Sequence, residues 1–118
     1  METDRRKQKR RKFTYYMPVV DANTLQVVGY LTDISAIGIR VDTKKPLPVN
    51  ASFRLRLDLT QDMAKKTFMV FNGRSRWCQM DKLEPNTYNV GFEVNILSHD
   101  DTEIFQRMYD RYGSDRMW

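Results

Sequence analysis

The chain has 118 residues, 41% of them hydrophobic, with 6 Phe, 6 Tyr and 2 Trp, which suffices for one modest core and is short for two domains. A single cysteine, Cys78, excludes an internal disulfide and a multi-cysteine zinc site, and no apolar run reaches the length of a membrane span. The net charge of +5 is concentrated in residues 1–12, where seven Lys/Arg stand against Glu2 and Asp4, while the other 106 residues hold thirteen charges of each sign. A neutral globule with a cationic leader is therefore expected, not a basic globule.

Residues 1–12 have no apolar side chain after Met1 and are expected to form a flexible basic arm. The charged start, with no apolar segment behind it, does not read as a signal peptide, and the lone cysteine fits a reducing cytoplasm. Strand character begins at Phe13 and runs to Val20, with Pro18 marking an edge or a bend. Asp21–Thr24 is a turn cluster. Leu25–Ile34 reads as the next strand and Ile37–Val41 as the one after, with Pro46-Leu47-Pro48 interrupting the pattern. Ala51–Leu59 alternates cleanly, with Phe53, Leu55, Leu57 and Leu59 between Arg54, Arg56 and Asp58. Thr67–Gln79 is long and carries Asn72-Gly73 in its middle; it reads as one bent or bulged strand, although Asn-Gly also favours a hairpin. Tyr88, Val90, Phe92, Val94 and Ile96 alternate in the last strand. Ser98-His99-Asp100-Asp101 then has the form of a helix cap, followed by an apolar face of Ile104, Phe105, Met108 and Tyr112 and a stop at Gly113. The expected architecture is mainly β: a six-stranded antiparallel barrel over 13–97, a helix over 98–113, and the arm ahead of them.

Two motifs could carry chemistry. Asp33-x-Ser35-x-x-Gly38 places a carboxylate, a hydroxyl and a glycine at a strand-end turn. The plain alternative is a bare turn, with Asp and Ser capping amides and Gly taking a positive φ. In the arm, Arg6 and Arg10 form the one pair with arginine at both ends of a four-residue step. The plain alternative there is a solvated charged tail. Together the motifs make a guanine nucleotide receptor the sharper reading. A carboxylate accepts from the guanine Watson–Crick edge, while arginine forks match O6/N7 and phosphate oxygens.

These residues resemble the PilZ family of bacterial cyclic di-GMP receptors. The resemblance runs from about Arg5 into the C-terminal helix. It rests on Arg6-x-x-x-Arg10, Asp33-x-Ser35-x-x-Gly38, Gly73-Arg74-Ser75-Arg76-Trp77 and Tyr88-Asn89-Val90-Gly91-Phe92-Glu93-Val94. Asn50 stands where the family often has glycine. The resemblance implies that Arg6 and Arg10 clamp guanine and phosphodiesters, that Asp33 and Ser35 meet the other guanine edge, and that Gly38 keeps the turn close to the ligand. Arg5, directly ahead of Arg6, implies two intercalated nucleotides in place of one. Trp77 is a candidate for base stacking against a core reading, and Arg40 a candidate supporting charge against a solvated-strand reading.

The resemblance thus implies a stand-alone receptor that signals to a protein partner by ordering its arm. The sequence does not identify that partner. No Ser/His/Asp or Cys/His spacing assembles a reacting centre, so an enzyme is not expected. His99 reads as a surface residue, and Cys78 and the methionines as packing. Neither a cofactor nor a metal is expected. The rival readings are a small barrel binding RNA or single-stranded DNA through its arm, and a degenerate PilZ module that binds only protein. The neutrality of residues 13–118 counts against nucleic acid.

Overall fold

In the computed structural model, which describes residues 10–95 and 98–115, the apolar alternation becomes eight antiparallel strands and one helix. The strands are β1 (Arg11–Phe13), β2 (Pro18–Asp21), β3 (Val27–Ile34), β4 (Gly38–Thr43), β5 (Ser52–Asp58), β6 (Phe68–Met80) and β7 (Tyr88–Asn95). The helix α1 (His99–Tyr112) follows, and then β8 (Gly113–Ser114). The pairing order is β2-β5-β6-β7-β4-β3, and β3 pairs back onto β2, which closes a barrel of six strands. Outside the ring, β1 pairs with β3, and β8 with β1.

The expected barrel and C-terminal helix are both present. Two boundaries differ from the sequence reading, and the long sixth strand follows it. Arg11 and Lys12, placed in the flexible arm, belong to β1 and pair with Ile34 and Asp33. The expected strand Phe13–Val20 is two strands with Thr14–Met17 between them; Pro18 opens the second, where a residue without an N–H is tolerated. In β6, Asn72 and Gly73 pair with both neighbours, β5 and β7, so no hairpin forms there. A Cβ at Gly73 would lie 3.1 Å from Leu55 Cδ1 and 3.3 Å from Phe92 Cδ1, so glycine there makes room for core side chains. The irregularity in β6 lies instead between Ser75 and Trp77. Asn50 has φ 60°, a left-handed position that asparagine tolerates well, which accounts for its standing in a glycine's place.

Inward-facing residues of every barrel strand join the helix in one apolar cluster, including Val19, Ile34, Leu55, Leu57, Met69 and Val90. The helix contributes Ile104, Phe105, Met108 and Tyr109. Tyr112, expected on that face, is half-buried at its rim, where its ring meets Phe13 and Tyr15. Ser98 caps the helix by accepting from the Asp101 N–H at 3.1 Å. Met17, Met63, Met69 and Met108 are buried and Cys78 packs against the core, whereas Met80 is exposed. His99 is exposed and lies 3.2 Å from Glu103.

The β6–β7 connection is held by Asp81, whose Oδ1 accepts from the N–H groups of Leu83 and Glu84, each at 2.9 Å. The Glu84 and Leu83 amides and the Asn89 side chain hold the Asp81 carboxyl at about 2, below its ordinary 3.8. A lowered native pKa stabilises the fold above the ordinary value, and that stability is lost as pH falls through the lowered one. We predict that thermal stability declines between pH 3.8 and about 2 more steeply in the parent chain than in Asp81→Asn. Parallel unfolding curves for the two proteins over that window would refute the assignment.

Candidate functional site

Cross-strand neighbours in a sheet share a face, and the register therefore sets which side chains meet. One row runs Ile34–Ile39–Phe92 across β3, β4 and β7, and all three residues belong to the core. The row beside it faces the other way. It runs Lys12–Asp33–Arg40–Gly91–Trp77 across β1, β3, β4, β7 and β6. Two register shifts flank it, between Leu31 and Asp33 in β3 and between Ser75 and Trp77 in β6. Each shift adds a residue and re-aims the side chain that follows, which brings Asp33 and Trp77 onto this face.

Asp33 is buried, only 5% exposed, between two cations. Its Oδ1 lies 3.5 Å from Lys12 Nζ and its Oδ2 3.7 Å from Arg40 Nη1. Both distances are too long for hydrogen bonds. Neither Asp33 Oδ1 nor Arg40 Nε has a hydrogen-bond partner among the described residues, and both atoms are buried. Arg40 is therefore not a solvated strand residue: its side chain is 25% exposed and lies between Asp33 and Asp42, with Nε 3.7 Å from Asp42 Oδ1. Asp42 Oδ1 in turn accepts from Asn89 Nδ2 at 2.9 Å, and the same amide donates to Asp81 Oδ2 at 3.1 Å.

The Asp33–Gly38 turn closes on itself. The Ser35 N–H donates to the Gly38 carbonyl at 2.9 Å, and the Ser35 hydroxyl accepts from the Gly38 N–H at 3.2 Å. Gly38 does not supply a positive φ; no described glycine has one. Its role is close approach, because a Cβ there would lie 2.5 Å from the Phe92 carbonyl oxygen on β7.

Beside the turn is an open cleft of about 280 Å³. Arg10, Ser35, Gly38, Gly91, Trp77 and Arg76 are among its walls. Trp77 is half-buried and its indole rests on the bare backbone of Gly91, where a Cβ would come within 2.3 Å of the ring. The indole thus lines the cleft while its strand packs on the barrel. Arg76 Nε donates to Glu93 Oε1 at 2.8 Å across the same wall.

Of the expected site residues, the structure gathers Arg10, Ser35, Gly38 and Trp77 at the cleft. Asp33 lies two residues back along β3, paired with Lys12 and Arg40 and not among the cleft walls. Arg5 and Arg6 lie outside the described residues. The root of the arm is fixed: Arg11 donates to Asp115 at 3.0 Å, and that carboxylate raises the arginine's pKa above its ordinary value. Gly91 and the Arg76–Glu93 pair stand within the strand patterns that carry the resemblance but are not among the expected site residues. A glycine inside a β-branched strand was the available signal for the first. The second depends on the shift in β6, which leaves no local pattern. Among the described residues, no three His, Cys, Asp or Glu side chains are grouped to hold a metal, and no described helix is long and apolar enough to cross a membrane.

The family model for the PilZ domain matches residues 4–111. The fold is similar to that of the PilZ domain of Escherichia coli YcgR with c-di-GMP, at TM-score 0.68 and 14% identity, covering 92% of each chain. It is also similar to the Bacillus subtilis inhibitor of motility MotI/DgrA, at TM-score 0.70 and 18% identity, covering 94% of this chain and 52% of that one. The K. pneumonia MrkH–c-di-GMP complex gives TM-score 0.68 and 15% identity over 90% of this chain and 51% of that one. The chain thus spans about half the length of the latter two. No curated protein sequence matches it.

Proposed function

Since this chain belongs to the PilZ domain family, we propose that it is a cytoplasmic, non-catalytic receptor for cyclic di-GMP. The nucleotide seats between the arginine arm and the Asp33–Gly38 turn, and ordering of the arm over it passes the signal to a protein partner. The observation that carries this reading is the buried Asp33 carboxylate, which sits beside two cations and whose Oδ1 has no hydrogen-bond partner among the described residues. A buried acceptor left open is costly, and a ligand donor would remove that cost. The guanine Watson–Crick edge offers adjacent N–H donors suited to it.

The arm supplies the complementary charge. Arg11 pairs with Ile34, so Arg10 falls level with Ser35 and lines the cleft beside the turn. Arg6 and Arg10 then hold the O6/N7 edge and the phosphates, with bidentate geometry that lysine does not reproduce. Arg5 favours a pair of intercalated nucleotides, because four phosphate charges call for a further cation. Trp77 offers a ring face at the cleft wall for a base.

Calorimetric titration of the chain with cyclic di-GMP tests this directly. We predict that Arg6→Ala and Arg10→Ala each weaken binding at least about tenfold, the scale of one charge-assisted contact. Unchanged affinity in both would end the site assignment. The same titration is expected to give two nucleotides per chain, and a one-to-one result would remove the role given to Arg5.

A further inference from the structure

We propose that Arg40, braced by Asp42, is the positioning residue that sets the Asp33 carboxylate for guanine, so that the receptor prefers guanine over adenine through a residue outside its two motifs. This rests on the reading that cyclic di-GMP meets Asp33.

Arg40 stands directly opposite Asp33 in the β3–β4 register, with Nη1 3.7 Å from Oδ2 and Nε 3.7 Å from Asp42 Oδ1. Asp42 is itself held by the Asn89 amide, which Asp81 also engages. The guanidinium thus lies in the field of an anchored acid, Asp42, as well as that of Asp33. Lys12, the other cation at Asp33, is on a 53% exposed side chain with no such brace among the described residues, so its ammonium can move aside. Arg40 therefore draws Oδ2 by charge, while Oδ1 faces only the movable Lys12 and has no hydrogen-bond partner among the described residues.

The chemistry of the two purines makes that fixed orientation selective. An ionised carboxylate only accepts hydrogen bonds. Guanine presents N1–H and N2–H donors on its Watson–Crick edge, whereas adenine presents an N1 lone pair beside a single amino donor. A carboxylate held in place repels that lone pair; one free to turn away discriminates less. Discrimination built on buried polar groups is strong because the wrong ligand leaves them unpaired.

The test is titration of the full chain and its variants with cyclic di-GMP and with cyclic di-AMP. Arg40→Met is expected to lower cyclic di-GMP affinity about tenfold while leaving the weaker cyclic di-AMP affinity unchanged, so the preference shrinks by the same factor. Arg40→Lys, whose single ammonium serves one acid at a time, should recover part of it. Asp42→Asn is expected to cost cyclic di-GMP binding about threefold without touching the ligand, and the Arg40→Met/Asp42→Asn double variant should lose no more than Arg40→Met alone. A parental preference retained by Arg40→Met, or losses that multiply in the double variant, would overturn the proposal. Should Arg40→Met fail to fold, a parental preference in both Arg40→Lys and Asp42→Asn overturns it equally. A parent chain that binds no cyclic di-GMP overturns the receptor reading and this proposal with it, whereas a parent that binds with variants that keep its preference overturns this proposal alone.

Discussion

Asp33→Ala is expected to weaken cyclic di-GMP binding at least about tenfold, the scale of one charge-assisted contact. The buried carboxylate is the shared partner of Lys12 and Arg40 on the row that faces away from the core. Its removal takes away the proposed acceptor for guanine and frees Arg40 to move toward Asp42. Asp33→Asn keeps one acceptor oxygen in the same shape and is expected to lose less. A control separates this from a general loss of charge attraction. Binding of a plain polyanion such as pyrophosphate should not fall in Asp33→Ala, because the corner becomes more positive. Calorimetry with both ligands gives the answer, and a parallel drop for pyrophosphate would mean that the variant had damaged the fold and not the recognition.

Gly38→Ala should produce the largest stability loss of any single methyl addition at the site. The added Cβ would lie 2.5 Å from the Phe92 carbonyl oxygen, a backbone atom in the paired strand β7 that cannot rotate away. Relief requires β4 and β7 to separate at their first pair, Gly38–Glu93. Overpacking of this kind costs about 1–3 kcal/mol, read as a lower denaturation midpoint at unchanged m-value. Nucleotide binding should fall as well, because the same separation moves the Ser35–Gly38 closure that forms the edge of the cleft. Wild-type stability in this variant would contradict the close approach of the two strands. Gly91→Ala differs in kind, since there the obstacle is the Trp77 ring, which can swing outward and leave the cleft wall.

Much of the fold is legible in the sequence where a local period carries the information. Ser52–Asp58 and Tyr88–Asn95 alternate because each strand has one face in the core, and Ser98 announces α1 because its hydroxyl serves a free N–H of the first turn. The Asp33–Gly38 turn is readable for the same reason, being closed by its own residues. What the sequence conceals depends on partners distant in the chain. β1 and β8 are three and two residues long and exist because they pair with each other across about a hundred residues. The register shifts after Leu31 and Ser75 have no local marker, yet they decide which way Asp33 and Trp77 point. Arg40 reads as a solvated strand residue because it is polar and follows an apolar neighbour. Asp42 shares its face two residues on along β4, but only the β3–β4 pairing reveals Asp33. Tyr109 displaces Tyr112 from the core for a related reason: the last turn of α1 is pulled toward β1, where the Thr14 N–H bonds the Tyr112 carbonyl at 2.8 Å.

The seam formed by β3, β1 and β8 has an architectural consequence. Arg10 and Asp115 leave the barrel side by side, stitched by Arg11, so the domain can hang from a longer polypeptide by a single point of attachment. A pull applied at Arg11 would reach Asp115 through the same stitch, with no need for the barrel itself to change shape.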